Sequence, residues 1–224
     1  MSVITSWQKN VADDLEMDNQ HLHTWKALIN TIQETDLSNK TILDYGCGPG
    51  GFLRYLYSVK PFKKGIGIDI ATKSIEQAKT KINSLPIEYH LIDEQLKIDQ
   101  NIDIAFSHEV LFLLPDLKVH AKFIYDCLKL GGVYYAVTGG HTENKLWPHW
   151  KTLLEQNSNL PVYDYSPENI VDSFLDNDFS GQATHLQNVG FVPIFKDRSF
   201  YPTILDVLQY SRQTMIVFRF QKAI

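Results

Sequence analysis

The densest chemistry in the chain lies at Asp44-Tyr45-Gly46-Cys47-Gly48-Pro49-Gly50-Gly51, where an acid follows the apolar run Thr41-Ile42-Leu43 and four glycines fall within six residues. Glycine serves where the backbone takes positive φ or where another molecule must lie against the main chain. Four so close together cost too much chain entropy for a spacer inside a compact domain, which favours close approach of a ligand; a glycine-rich turn with no ligand is the plain alternative. Helical spacing resumes at Phe52-Leu53-Arg54-Tyr55-Leu56, and a helix start offers unpaired N–H groups to whatever sits there. Gly46-x-Gly48-x-x-Gly51 also matches a dinucleotide fingerprint, a weak signal by itself. Asp44, at the carboxyl end of its strand, argues against that match: a carboxylate there repels a pyrophosphate and attracts a cation.

Other polar groups fall at the ends of later strand signals. Gly65-Ile66-Gly67-Ile68-Asp69-Ile70 ends in Asp69, Ile87 to Ile92 runs into Asp93-Glu94, and Asn101 to Phe106 delivers Ser107-His108-Glu109. Asp69 is placed where nucleoside-binding folds hold ribose hydroxyls; its alternative role is a helix cap, which Thr72 or Ser74 can supply. His108, with an ordinary pKa of about 6.5, suits proton removal from an oxygen or nitrogen acceptor. A lone histidine is also commonly a structural hydrogen bonder, and Glu109 beside it reads as a helix cap. The fifth strand signal, Val133 to Val137, leads to Thr138-Gly139-Gly140-His141-Thr142-Glu143, so His141 and Glu143 follow His108 as candidate bases.

The elements that must position these groups alternate. Strand Thr41–Leu43, a helix ending at Lys60-Pro61, and strand Gly65–Ile70 form the right-handed crossover of a parallel sheet. Ile75, Ala78 and Ile82 then give the buried face of a helix, and Leu117, Ala121, Ile124 and Leu128 that of another, halted at Gly131-Gly132. Trp25, Leu28, Ile29 and Ile32 predict a leading helix within residues 1–39. Residues 141–180 break the alternation with Trp147-Pro148-His149-Trp150, a helix around Leu153-Leu154, and Ser166-Pro167-Glu168 opening a further helix, with serine as cap and proline in the first turn. A helix ending near Gly190, then strands at Phe191–Phe195 and Thr214–Phe220, are expected to close the sheet.

Leu43-Asp44-Tyr45-Gly46-Cys47-Gly48-Pro49-Gly50 resembles the first motif of the class I S-adenosylmethionine-dependent methyltransferases: an apolar strand, an acid, then Gly-x-Gly-x-Gly. The cofactor carries an ammonium and a sulfonium and no phosphate, which agrees with Asp44. Ser107-His108-Glu109 resembles the family's fourth motif, and Leu128-Lys129-Leu130-Gly131-Gly132 its stop before the fifth strand. The resemblance implies a doubly wound, mostly parallel α/β sheet of seven strands, with helices on both faces and an antiparallel last strand. It implies cofactor contacts from Asp44, Gly46, Cys47, Gly48, Gly50, Asp69, Ile70, Asp93, Glu94, Ser107 and His108, with Asp93 receiving the adenine amino group. The family's usual Leu-Pro-Phe segment is replaced by Leu96-Lys97-Ile98. The leading segment often folds over the cofactor in this family, which makes Trp7, His21 and His23 candidate lid residues; a helix packed on the sheet edge is the alternative.

A length of 224 residues, 44% of them hydrophobic, suits one domain with a well-buried core: a lid at 1–39, a cofactor core at 40–140, a substrate-covering insertion at 141–180, and closing elements at 181–224. A net charge of -5 argues against general affinity for nucleic acid. Cys47 and Cys127 lack metal or disulfide spacing, which fits a reducing cytoplasm, and no metal site is expected. The first residues carry no signal pattern, and no apolar run is long enough to span a bilayer. The expected activity is methyl transfer from S-adenosylmethionine to an oxygen, nitrogen or carbon of a small-molecule acceptor, by a monomer or homodimer, yielding S-adenosylhomocysteine. Two rivals are a non-catalytic cofactor-binding module working through a partner and a nicotinamide-dependent oxidoreductase; the latter needs a second substrate domain that this length hardly permits.

Overall fold

The computed structural model describes the backbone of residues 11–186 and 188–223, with side chains from residue 21 onward. Trp7 and the start of the expected lid lie outside the described residues. Short apolar runs become β1 (Thr41–Tyr45), β2 (Lys64–Asp69), β3 (Ile87–Leu91), β4 (Ile102–His108) and β5 (Leu128–Thr138), all parallel. Two further strands, β6 (Phe179–His185) and β7 (Ile216–Lys222), complete a sheet of order β3-β2-β1-β4-β5-β7-β6, with β7 antiparallel to both its neighbours. The chain works outward from β1 to β3 and then returns to β4. The order therefore reverses between β1 and β4, and the crevice beyond the carboxyl ends of these strands is where such sheets take ligands.

Helices cover both faces because alternate strand residues are apolar on each side. On one face α1 (Val11–Thr31), α2 (Gly51–Val59), α3 (Thr72–Thr80) and α5 (Trp147–Asn157) bring Leu28, Leu53, Ile75 and Leu154 into the core shared by Ile42, Ile104 and Phe106. On the other, α4 (Leu117–Cys127) and α6 (Pro167–Leu175) bury Ala121, Ile124, Ile170 and Phe174 with Leu43, Ala105 and Tyr134. Phe174 stacks on Phe220 of β7 at 4.1 Å between ring centroids. The Ser166 cap forms as expected: its hydroxyl receives the Asn169 N–H while the Asn169 side chain receives the Ser166 N–H.

The closing elements depart from the sequence reading. The sixth strand is Phe179–His185, where a helix was expected, and Phe191–Phe195 is irregular. In β6 only Phe179 is buried, so the edge strand is held by backbone pairing to β7 and carries no apolar alternation for a pattern to detect. Pro193, lacking an N–H, is unsuited to the paired strand proposed for its segment. A short helix, α7 (Ile204–Gln209), runs into a π-helical stretch, Tyr210–Thr214, just before β7; neither was expected.

Candidate functional site

β1 ends at the rim with Asp44 buried to 2% exposure. The loop that follows is fixed by backbone bonds: the N–H groups of Gly46 and Cys47 both donate to the Ile68 carbonyl, at 2.8 and 3.0 Å, and Gly50 N–H donates to Cys47 O. Gly46, Gly48 and Gly50 all take positive φ, at 76°, 51° and 79°. Their surroundings separate their roles. A Cβ on Gly46 would meet Val110 Cγ2 at 2.5 Å, and one on Gly50 would meet the Tyr89 hydroxyl, whereas one on Gly48 would meet no atom of the described residues within 4 Å. Among the described residues, Gly48 is thus the loop position where nothing packs against the main chain. Cys47 is buried, and burial, followed by the nearby Asp69 and Asp44, pushes its thiol well above the ordinary range, which makes it a packed residue rather than a nucleophile.

Asp69, at the end of β2, braces this loop. One carboxylate oxygen receives Gly48 N–H and the other Ala71 N–H, each at 2.8 Å. The helix-start role and the rim role are combined in one residue, and α3 begins with no side-chain cap from Thr72 or Ser74. Burial raises the Asp69 pKa, opposed by the N–H groups of Ala71, Gly48 and Ile70. A carboxylate has about four lone-pair sites, so acceptor capacity remains for a further partner. Next to it Ile70 is 41% exposed, an apolar surface at the rim. Asp93 and Glu94 are exposed, and Asp93 receives Gln95 N–H at 2.9 Å in a tight turn beyond β3.

The rim after β4 is less uniform. The Ser107 side chain lies fully buried on the α4 side, 2.5 Å from the Tyr134 hydroxyl, which meets His120 Nε2 at 3.0 Å; only its backbone belongs to the rim. His108 packs edge-on against His21 of α1, with ring centroids 4.8 Å apart, and its Nε2 is buried with no hydrogen-bond partner among the described residues. Burial first, and then His21 and His23, pushes the His108 pKa well below its ordinary value; burial and His23 lower that of His21 to about 4. Both rings are neutral at physiological pH, and the same burial resists protonation of the His108 nitrogen. His141 is buried, with Nε2 donating to the Thr214 carbonyl at 3.0 Å, so its Nδ1 is left as a buried acceptor without a partner among the described residues. Burial lowers its pKa. Glu143 is exposed.

Glu109 is not a helix cap. Its carboxylate receives the Tyr210 hydroxyl at 2.5 Å and Gly139 N–H at 2.9 Å. Burial raises its pKa, against the pull of these donors. Tyr210 is enclosed by Trp150 and Tyr201, at centroid distances of 4.8 and 5.1 Å. Three segments converge here: the rim after β4, the stretch containing α5, and the connection between β6 and β7. The sequence signal for Glu109 was its place beside His108; Tyr201 and Tyr210 had none, because their partners are remote in the chain. Among the described residues no group of three or more His, Cys, Asp or Glu is arranged to hold a metal, and no helix is long and apolar enough to cross a membrane.

Comparison with known proteins agrees with the geometry. The family described as a methyltransferase domain matches residues 43–136, the span from β1 to β5. A malonyl-[acyl-carrier protein] O-methyltransferase of Acetivibrio thermocellus is 31% identical over 121 residues, covering 52% of this chain and 43% of the relative. One from Bacillus cereus is 25% identical over 118 residues, covering 51% and 44%. The matches thus span about half of this chain and under half of the length of these relatives. Among solved structures, the subunit bound to the Trm112 methyltransferase activator in a Haloferax volcanii complex aligns over 96% of this chain and 95% of its own, with a TM-score of 0.81 and 18% identity. That likeness is one of fold. Residues 43–136 thus match a methyltransferase domain, and the described fold is that of solved methyltransferase structures.

Proposed function

We propose that the chain transfers a methyl group to a small-molecule acceptor at the rim after β4 and β5. The observation that carries this reading is the buried Nε2 of His108, unpartnered among the described residues and set at the same rim as the glycine loop. When bound, S-adenosylmethionine supplies a methyl group activated by its sulfonium. The residues present suit it: nothing among the described residues packs against Gly48, Asp69 keeps acceptor capacity for ribose hydroxyls, and Ile70 offers an apolar surface. In this reading Asp44 faces the cationic end, the backbone of Gly46, Cys47, Gly48 and Gly50 lies along the cofactor, and Asp93 and Glu94 stand at the adenine end. Ser107 contributes through its backbone.

Transfer is an in-line displacement, so the chain has chiefly to align the acceptor and keep water out; effective molarities of about 10⁵ M and above are available from such positioning. His108 is placed to receive the proton of an oxygen or nitrogen acceptor, but its burial weakens it as a base, so alignment of the acceptor carries most of the rate. His141, whose Nε2 is held by Thr214, and the exposed Glu143 are weaker bases geometrically. The segment 141–180 covers the acceptor, and the O-methyltransferase relatives favour an oxygen acceptor on an acyl compound. A cytoplasmic monomer or homodimer fits this role.

The test is a thermal shift with S-adenosylmethionine, S-adenosylhomocysteine and NAD in parallel. A ligand at about 100 times its Kd adds roughly 2.7 kcal/mol, or about 5–10 °C at this size. The expected result is a shift with the first two and none with NAD; the reverse overturns the reading. His108→Gln is expected to keep the cofactor shift and lower transfer to screened acceptors by about 10²-fold or more. A second reading, in which the chain works with an activating partner, is favoured by the Haloferax volcanii likeness. It predicts transfer only after a co-purifying protein is restored.

A further inference from the structure

Glu109 holds φ at 56°, in the left-handed region that a residue with a side chain enters at a cost. Its own N–H is tied to the Val137 carbonyl at 2.8 Å, and its carboxylate turns toward Gly139 N–H and the Tyr210 hydroxyl. Tyr210 opens the π-helical stretch between α7 and β7, an irregularity that recurs at functional sites. The phenol lies close across the end of β5: a Cβ on Gly139 would sit 2.2 Å from its ring. The two neighbours of Glu109 lie at the same rim as the glycine loop. On one side is His108, whose Nε2 has no partner among the described residues. On the other is Val110, whose methyl groups occupy the space that a Cβ on Gly46 would need. One strained turn therefore touches the candidate base, the glycine loop and the segment 201–214, whose Tyr210 covers the end of β5 at Gly139.

We propose that Glu109 is a positioning residue: clasped by Tyr210, it holds the 108–110 turn left-handed and so couples closure of the 201–214 cover to the shape of the cofactor loop. Tyr210 is anchored to Trp150 and Tyr201, so an acceptor that settles the cover also settles Glu109, and through Val110 the path of Gly46. By linkage the coupling runs both ways, and cofactor in the loop favours a closed cover. The proposal rests on the glycine loop being the cofactor seat.

The experiment is calorimetric titration of S-adenosylhomocysteine into the full chain and into Glu109→Ala, Glu109→Gly, Glu109→Gln and Tyr210→Phe, each checked for folding by circular dichroism. Glu109→Ala is expected to weaken binding about tenfold, and Tyr210→Phe about three- to tenfold. Glu109→Gln, whose amide oxygen can receive the same two donors, is expected to stay near wild type. Glu109→Gly, which has no clasp but adopts left-handed φ freely, is expected to recover most of what Glu109→Ala loses, a rescue that a mere packing role does not give. If wild type binds while Glu109→Ala and Tyr210→Phe bind as well as it does, or if Glu109→Gly is no better than Glu109→Ala, the proposal fails with the cofactor seat intact. If wild type itself does not bind, the cofactor seat fails and takes the proposal with it. Should Glu109→Ala not fold, Tyr210→Phe and Glu109→Gly decide the matter alone.

Discussion

The glycine loop and the aromatic cover over the end of β5 are built on different principles. The loop is a local object: Asp44, Gly46, Gly48 and Gly50 share one turn, braced from the next strand by the Ile68 carbonyl and by Asp69 through the Gly48 N–H. The cover is assembled from distant chain segments. Tyr210 reaches Glu109 across 101 residues, the His141 ring reaches Thr214 across 73, and the Trp150 indole N–H reaches the Phe200 carbonyl across 50. A site made of backbone conformations leaves its mark as glycines and strand-end acids. One made of side-chain convergence leaves only scattered aromatics.

The largest effect expected from this contrast is at Asp69. Asp69→Ala removes the acceptor for Gly48 N–H and Ala71 N–H at once. Hydrogen bonds to a charged group contribute about 1.5–3 kcal/mol each, so loss of the brace, together with any ribose contact, is expected to raise the Kd for S-adenosylhomocysteine about 100-fold or more. Titration calorimetry reads this directly. An Asp69→Ala chain that binds within about threefold of wild type would mean that the loop is braced by the Ile68 carbonyl alone.

A pH experiment breaks the same contrast from behind the sheet. His120 is 4% exposed, with Nε2 against the Tyr134 hydroxyl and Nδ1 unpartnered, and burial lowers its pKa to about 3. The unfolded chain binds a proton at about pH 6.5, which the folded chain resists. The sign follows: this stability is fully present above about pH 6.5 and is lost as pH falls toward 3, up to an order of 4 kcal/mol. His120→Gln is expected to flatten the acid limb of the stability curve measured by urea unfolding, while leaving the cofactor affinity at neutral pH in place. An unchanged acid limb would show that other carboxylates and histidines govern it.

Two glycines sharpen the contrast at a smaller scale. Gly48→Ala meets no atom of the described residues within 4 Å but must hold φ at 51°; Gly50→Ala holds φ at 79° and drives its methyl into Tyr89. The first is expected to cost about 1 kcal/mol of stability and a larger loss of cofactor affinity, because the methyl enters the ligand's space. The second is expected to destabilise by about 2–4 kcal/mol, strain and overpacking together. Thermal midpoints beside binding curves separate the two; equal affinity losses would remove the distinction between the open and the packed glycine.

Legibility in the sequence follows the same division. The parallel core was readable because β1, β2, β4 and β5 are buried on both faces and appear as apolar runs, and because each ends in a residue set apart by polarity. Asp69 and His108 were found at the rim for that reason. The orientation of Ser107 was not readable, since a residue at the strand end can turn to either face and only the Tyr134–His120 pair behind the sheet settles which. Nor was β6: its exposed residues from Ser180 to His185 satisfy their backbone on β7 without burying a side chain. Glu109 was visible as a residue and misread in its role, because the partner that turns its carboxylate away from a cap is Tyr210, in a π-helical stretch with no sequence signature.

The smallest expected effect bears on a helix behind the sheet. Ser166 caps α6 with its hydroxyl on Asn169 N–H at 3.1 Å, and Asn169 returns a bond to Ser166 N–H at 3.0 Å. Ser166→Ala removes the first bond and leaves the second, a loss of about 1 kcal/mol, or about 2–4 °C in thermal midpoint for a chain of this length. Helix α6 packs on α4, with Ile170 and Phe174 in the core on the Tyr134 side of the sheet, away from the one that holds Trp150 and Tyr210. If the cover is organised by the Glu109–Tyr210 clasp and its aromatic neighbours, this destabilisation stays local, and S-adenosylhomocysteine binds Ser166→Ala as it binds wild type. If affinity falls in step with the midpoint, the segment 141–180 acts as one body with the cofactor loop, and the division between a local loop and an assembled cover gives way to a single cooperative unit.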